Sequence, residues 1–209
     1  MGKTWVQETR DDQIEEILRG TADLLPDHAF ASIRMGWGYM TNRVAGLIDE
    51  MGIAVDSSAI PRPVYSWETS SKNWIGTLKT PYFPSIKDYR VPGTPKRDYL
   101  EIPITTSVIK APYDKETVVR YLNPAYRPDL LYPAIKSCCE NQDEAVLIAH
   151  PYEFKSGPKN GLFPDGAFAL RANIQSILNE ALKNNKAVRF VTIAELAEYH
   201  RSKGSAGSL

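Results

Sequence analysis

The sequence predicts an α/β protein in which short strands alternate with amphipathic helices, as a parallel sheet or part of a barrel. Three observations carry that expectation. Apolar positions recur at helical spacing over residues 11–25, 41–51 and 168–182. Short apolar or β-branched runs stand between them, at 30–34, 53–56, 145–149 and 188–191. Two of those runs lead to chemistry-bearing side chains, Asp56 and His150, at the strand ends where ligands of parallel sheets are met.

Bulk properties narrow the class. A chain of 209 residues can bury a sizeable core, and 43% hydrophobic with 24% charged residues excludes neither folding nor solubility but does exclude a disordered or membrane-embedded composition. Lys plus Arg and Asp plus Glu both number 25, giving no net charge, and no basic stripe is present, so nucleic acid is not an expected partner. Residues 1–6 lack the apolar region of a signal peptide, and no run reaches the roughly 20 residues of a membrane span. As written, the chain is expected to be cytoplasmic. Cys138 and Cys139 are neighbours in a helical pattern and cannot staple a long loop; they read as small apolar residues, one of them facing the core.

Taken in order, Ile14, Ile17, Leu18, Ala22 and Leu25 form the stripe of a first helix with an acidic start, ended by Pro26. Residues 30–34 read as a strand entering the turn Gly36-Trp-Gly38. Thr41 caps a second helix with Val44, Leu47, Ile48 and Met51 inward, and Gly52 stops it. Residues 53–56 return as a parallel strand, so Arg34 and Asp56 are delivered to one rim of a βαβ unit.

Residues 59–98 interleave Pro61, Pro63, Pro81, Pro84, Pro92 and Pro95 with Tyr65, Trp67, Trp74, Tyr82 and Tyr89, without periodicity. Such aromatics suit either packing or the faces of sugars. Residues 99–105 alternate like an edge strand, with Pro103 at a bulge or edge. A helix follows Pro128, then the strand 145–149 ending at His150, a loop over 157–161, and the longest helix, with Phe168, Ile174, Ile177, Leu178, Ala181 and Leu182. Residues 188–191 read as the last strand. Thr192 and Glu195 make a capping box for a terminal helix, and 202–209 reads as a disordered tail after a single domain over 1–201.

Arg34-Met-Gly-Trp-Gly-Tyr39, Leu47-Ile-Asp-Glu-Met-Gly-Ile53, Val55-Asp-Ser-Ser58, Leu100-Glu-Ile-Pro103, Leu147-Ile-Ala-His-Pro-Tyr-Glu153 and Arg189-Phe-Val-Thr-Ile-Ala-Glu-Leu196 together resemble the polysaccharide deacetylase (NodB-homology) family. The likeness is greatest to its exopolysaccharide-associated and WalW-like branches, and it rests on the order and spacing of the motifs. It implies an irregular (β/α) barrel of the glycoside hydrolase/deacetylase type, here incomplete, with N-terminal strands missing. It implies metal-dependent hydrolysis of N-acetyl groups on amino sugars, a carbohydrate partner, and a divalent metal, typically zinc, whose Asp and H-x-x-x-H ligands are absent from this chain. Thr4-Trp5 resembles the tail of that metal motif, so the expectation is a chain that begins just after it.

By position, the resemblance makes His150 the catalytic acid, with Ile148 in the apolar slot for the acetyl group. It makes Arg34 the arginine that orients the base, and Asp56 the carboxylate that holds the histidine charged. Trp37 and Tyr39 would line the sugar site, with Tyr152 beside the histidine as a further substrate contact. A carbohydrate-binding homologue without catalysis, or a fragment without independent function, is the alternative.

The residues by themselves leave other readings. His150 could be a strand-end histidine bonded to backbone, and Arg34 a surface arginine or an ion-pair partner of Asp56. A metal site on His150, Glu153 and a distant carboxylate has one histidine to start from. A triad of Ser57, His150 and Asp56 is disfavoured because adjacent strand residues point to opposite faces. His28 and His200 sit at helix margins, as solvated side chains.

Overall fold

The computed structural model describes residues 11–24, 31–62, 73–154, 161–163 and 165–206. Pro26, His28, Tyr65, Trp67, the loop 157–160, Thr4-Trp5 and the end of the tail at 207–209 lie outside them. Where the sequence reads as one domain over 1–201, the chain divides into two compact units, Met1–Pro103 with Val191–Leu209, and Ile104–Phe190.

The first unit contains α1 (Asp11–Leu24), β1 (Ser32–Ile33), α2 (Asn42–Glu50), β2 (Val55–Asp56), β3 (Leu100–Glu101) and α5 (Ile193–Ala206). Its three strands are parallel in the order β1-β2-β3, so the expected βαβ unit forms. Local chemistry sets its ends. Thr41 Oγ1 accepts the Val44 amide at 3.2 Å to cap α2, and Gly52, at φ +66°, takes the left-handed turn that stops it. The register pairs Ile33 with Asp56 and Asp56 with Glu101, which places two carboxyl side chains on neighbouring strands of one sheet.

The proline-rich stretch is irregular where described, held by single bridges such as Tyr82 to Glu101 and Ser85 to Lys96. Its described aromatics pack. Trp74, Tyr82 and Tyr89 are buried, the Trp74 and Tyr89 rings meet edge to face at 4.9 Å, and Trp74 Nε1 donates to the Gly38 carbonyl. Arg97, also buried, holds Asp49 at 3.0 Å and donates to the carbonyls of Asn42 and Ile86, which ties this stretch to α2.

α5 begins on the expected capping box: the Thr192 amide donates to Glu195 Oε2 at 2.7 Å, and the Glu195 amide to Thr192 Oγ1 at 3.2 Å. The helix runs on to Ala206, so the expected disorder from residue 202 gives way to helix up to that point. Thr192→Ala is expected to cost about 1 kcal/mol and to speed amide exchange in the first turn of α5. Unchanged exchange there would show that the box is ornamental.

The second unit contains the antiparallel pair β4 (Thr106–Val108) and β5 (Val119–Tyr121), α3 (Pro128–Asn141) and α4 (Gly166–Lys183). α3 and α4 pack against each other, over a core of Ile109, Leu122, Tyr126, Leu131, Ile135 and Leu162. Cys138 and Cys139 are free and half-buried against that core, and burial pushes the Cys138 thiol up to about 11.

Two expected strands are corrected. Residues 145–149 are extended but form no regular ladder. Thr105 N donates to Val146 O and Ile148 N to Leu122 O, while Val146 N is taken by the Thr105 hydroxyl instead of a carbonyl. Of this run Val146 alone is buried. Residues 188–191 are exposed and carry no strand assignment.

α4 also presents an unexpected face. Gly166, Ala169, Asn173, Glu180 and Ala181 are buried, whereas Phe168, Leu178 and Leu182 are exposed. At the start of the helix backbone lies close, and a Cβ on Gly166 would collide with the Glu153 carbonyl oxygen. Asn173 Nδ2 then donates to the carbonyls of Pro124 and Tyr126, at 2.9 and 2.8 Å.

The result is a mixed helix and sheet protein, and its described strands close no barrel. No described helix is long and apolar enough to cross a membrane.

Candidate functional site

In the second unit the extended segment ends at His150, and Pro151 starts a single 3₁₀ turn, Pro151–Phe154. That turn folds Glu153 back over the histidine. Glu153 Oε1 lies 3.2 Å from His150 Nδ1, and Oε2 accepts the His150 backbone amide at 2.7 Å. Oε2 also accepts Asn123 Nδ2 at 2.7 Å, while Asn123 Oδ1 is engaged by the Ala125 amide at 2.8 Å. Glu153 is 3% exposed and Asn123 fully buried, so this carboxylate is taken out of water and compensated by fixed donors.

His150 itself keeps 47% of its side chain exposed. Tyr152 stacks on its ring at a centroid separation of 5.2 Å and is itself exposed. A half-exposed imidazole with one nitrogen against a buried carboxylate and an aromatic face beside it is suited to proton transfer next to a flat or ring-shaped ligand.

In the first unit a second cluster surrounds Asp56. Both Asp56 and Glu101 are buried, at 0% and 1% exposure, and the two carboxyls are within hydrogen-bonding reach of each other. Ser58 Oγ donates to Asp56 Oδ1 at 2.5 Å, and the Ala59 amide to Glu101 Oε1 at 3.0 Å. Asp56 Oδ2 and Glu101 Oε2 have no other donor, so a proton between the two groups satisfies both. Burial raises both carboxyls above their ordinary range. Glu101 rises furthest, pushed further by the Asp56 charge, and holds the proton.

Arg34 stands at the same rim without bonding either carboxyl directly. Its Nε donates to the Ser57 carbonyl and its Nη2 to Ser57 Oγ, both at 2.8 Å. Its charge favours ionised Asp56 and Glu101 through space, while partial burial lowers its own pKa. Ser57 Oγ donates to the Ile102 carbonyl at 2.7 Å, which engages its hydroxyl within the sheet.

The remaining expected site residues are placed as follows. Tyr39 is buried, with its hydroxyl donating to Asp11 Oδ1 at 2.7 Å, and burial pushes its phenol up. Trp37 contributes backbone to the 3₁₀ turn Gly36–Gly38, and its side chain lies outside the described part of the structure. Ile148 is half-buried and bonded through its amide to Leu122. His200 lies in α5, in ring contact with Tyr199. Asp56 and His150 belong to different units, and each finds partners inside its own: Glu101, Ser58 and Ser57 for the aspartate, Glu153 for the histidine.

Sequence reasoning considered Glu153 only as a metal ligand beside His150, and gave no site role to Glu101 or Asn123. Glu153 carried a local signal, since a carboxylate three residues after His150 and beyond a proline falls back onto the ring in a single helical turn. Glu101 had one only through strand register. Asn123 had none.

Among the described residues no three His, Cys, Asp or Glu side chains converge as a metal-ligand group. Comparison of the chain with family models, with curated proteins and with solved structures found no match.

Proposed function

We propose that the chain is a polysaccharide deacetylase-like protein that acts on N-acetyl groups of an amino-sugar polysaccharide or oligosaccharide, with His150 as the general acid. The observation that supports this reading is the His150–Glu153 pair at the end of an extended segment, half open to solvent and flanked by the exposed ring of Tyr152. The parallel βαβ arm of the first unit, with Arg34 and Asp56 at its rim, supports kinship with an incomplete (β/α) barrel.

The reaction adds water across the amide: the C–N bond breaks, hydroxyl ends on the acetyl carbon as acetate, and the sugar nitrogen leaves as an amine. An amide nitrogen is a poor leaving group until it is protonated. His150 carrying both ring protons gives one to that nitrogen as the bond breaks, while the other stays on the contact with Glu153. Tyr152 offers a flat apolar face for the sugar ring. Zinc, the metal that the sequence resemblance implies, finds no ligand set among the described residues, and no step is routed through it.

Acetate release from N-acetylglucosamine oligomers, with and without added zinc, tests the proposal. Release that depends on the protein is expected. No acetate from any oligomer at saturating zinc would overturn the enzymatic reading.

A further inference from the structure

We infer that Glu153 is the positioning residue of His150: it fixes the imidazole as the Nδ1–H tautomer and so makes Nε2 the nitrogen that exchanges protons with a ligand. The catalytic meaning of this rests on the proposed deacetylase reading, but the tautomer assignment does not.

The assignment follows from the donors around one carboxylate and from the relative acidity of the carboxyl and the ring that share a contact. Glu153 Oε2 already accepts two N–H groups, from Asn123 and from the His150 backbone, each at 2.7 Å. A carboxyl is a stronger acid than an imidazolium ring, so the proton on the contact between Oε1 and Nδ1 resides on nitrogen, and both carboxylate oxygens accept. Its other oxygen, Oε1, lies 3.2 Å from His150 Nδ1, so Nδ1 must carry the hydrogen there. In the neutral ring Nε2 then bears the lone pair, and in the charged ring Nε2–H is the proton not held by Glu153.

The carboxylate has little freedom to do otherwise. Its own amide donates to the His150 carbonyl at 2.9 Å, closing the turn in both directions. Its carbonyl oxygen sits against Gly166, the first residue of α4, where no side chain fits. Asn123 is fixed in turn by the Ala125 amide. Backbone on two sides and an amide on the third therefore hold Glu153, and Glu153 holds the ring. Of the titratable groups from other elements, Tyr121 of β5 and Tyr126 feel the Glu153 charge, and both phenols are raised chiefly by burial and also by this carboxylate.

Glu153→Gln is the discriminating variant because it keeps shape and reverses chemistry. The two donors from Asn123 and the His150 backbone require an oxygen, so the glutamine carbonyl must occupy the Oε2 position. Its NH2 then takes the Oε1 position and points a donor at Nδ1. A ring facing that donor must present a lone pair at Nδ1, and its proton moves to Nε2.

The full chain labelled with ¹⁵N, which has three histidines, is read by long-range imidazole correlation spectra at a pH where the rings are neutral. The His150 signals are identified by their loss in His150→Ala. The native protein is expected to show His150 Nδ1 in the protonated range and Nε2 in the unprotonated range, and Glu153→Gln is expected to exchange the two. An Nε2–H tautomer in the native chain would overturn the inference even if the variant failed to fold, as would a folded variant that keeps the native tautomer. Absence of acetate release would leave this result standing and remove only its catalytic meaning.

Discussion

Unfolding of the first unit is expected to become easier as pH rises above 5, and Glu101→Gln is expected to abolish most of that pH dependence. The sign comes from the shared proton. In the unfolded chain Asp56 and Glu101 titrate near their ordinary values of 3.8 and 4.5, whereas burial raises both in the folded state. Folding therefore takes up a proton above that range. The stabilisation is fully present below the unfolded values and is lost as pH rises towards the folded ones.

Glutamine supplies permanently what the proton supplies conditionally. Its NH2 donates to Asp56, and its carbonyl keeps the Ala59 amide that Glu101 Oε1 accepts now. As pH rises above 5 the stability of Glu101→Gln relative to the native chain should rise. Glu15 and Asp88, which arginine partners hold below the usual carboxylate range, work in the opposite direction and at lower pH, outside this window. All four tryptophans fall within residues 1–103, so urea titration followed by tryptophan fluorescence reports this unit. Parallel curves for the two proteins would show that no proton is shared.

How far the sequence reaches depends on the distance over which each feature is determined. Helix ends are local: Thr41, Gly52 and the Thr192–Glu195 box sit where their own side chains or φ preferences put them. The first βαβ unit is nearly as local, and Arg34 and Asp56 reach the expected rim. The partner of Asp56, in contrast, is set by parallel register with a strand 45 residues later, which no spacing in the sequence encodes. The strand expected at 145–149 fails because a side chain, Thr105 Oγ1, takes an amide that a ladder would have used. α4 misleads because its buried face is not its apolar one: Gly166 seats on the Glu153 backbone and Asn173 and Glu180 are buried, while Phe168 and Leu182 are exposed.

His150→Ala is expected to slow acetate release by about 10²- to 10⁴-fold, chiefly in kcat, if His150 protonates the leaving nitrogen. Glu153→Gln is expected to fall in the same range, because a ring with the wrong tautomer is present but misdirected. The informative measurement is the double variant. Two residues that act as one unit cannot both be charged in full, so His150→Ala with Glu153→Gln should be no slower than His150→Ala alone. Additive losses would mean that Glu153 acts on something other than the histidine. The same cycle run with Asp56→Asn separates the expectation drawn from sequence from the one drawn from geometry. The imidazole has one Nδ1, and that nitrogen lies against Glu153. Coupling should therefore appear with Glu153 and be small with Asp56, whose loss should act through the stability of its own unit. Full coupling with Asp56 would return the orienting role to the aspartate.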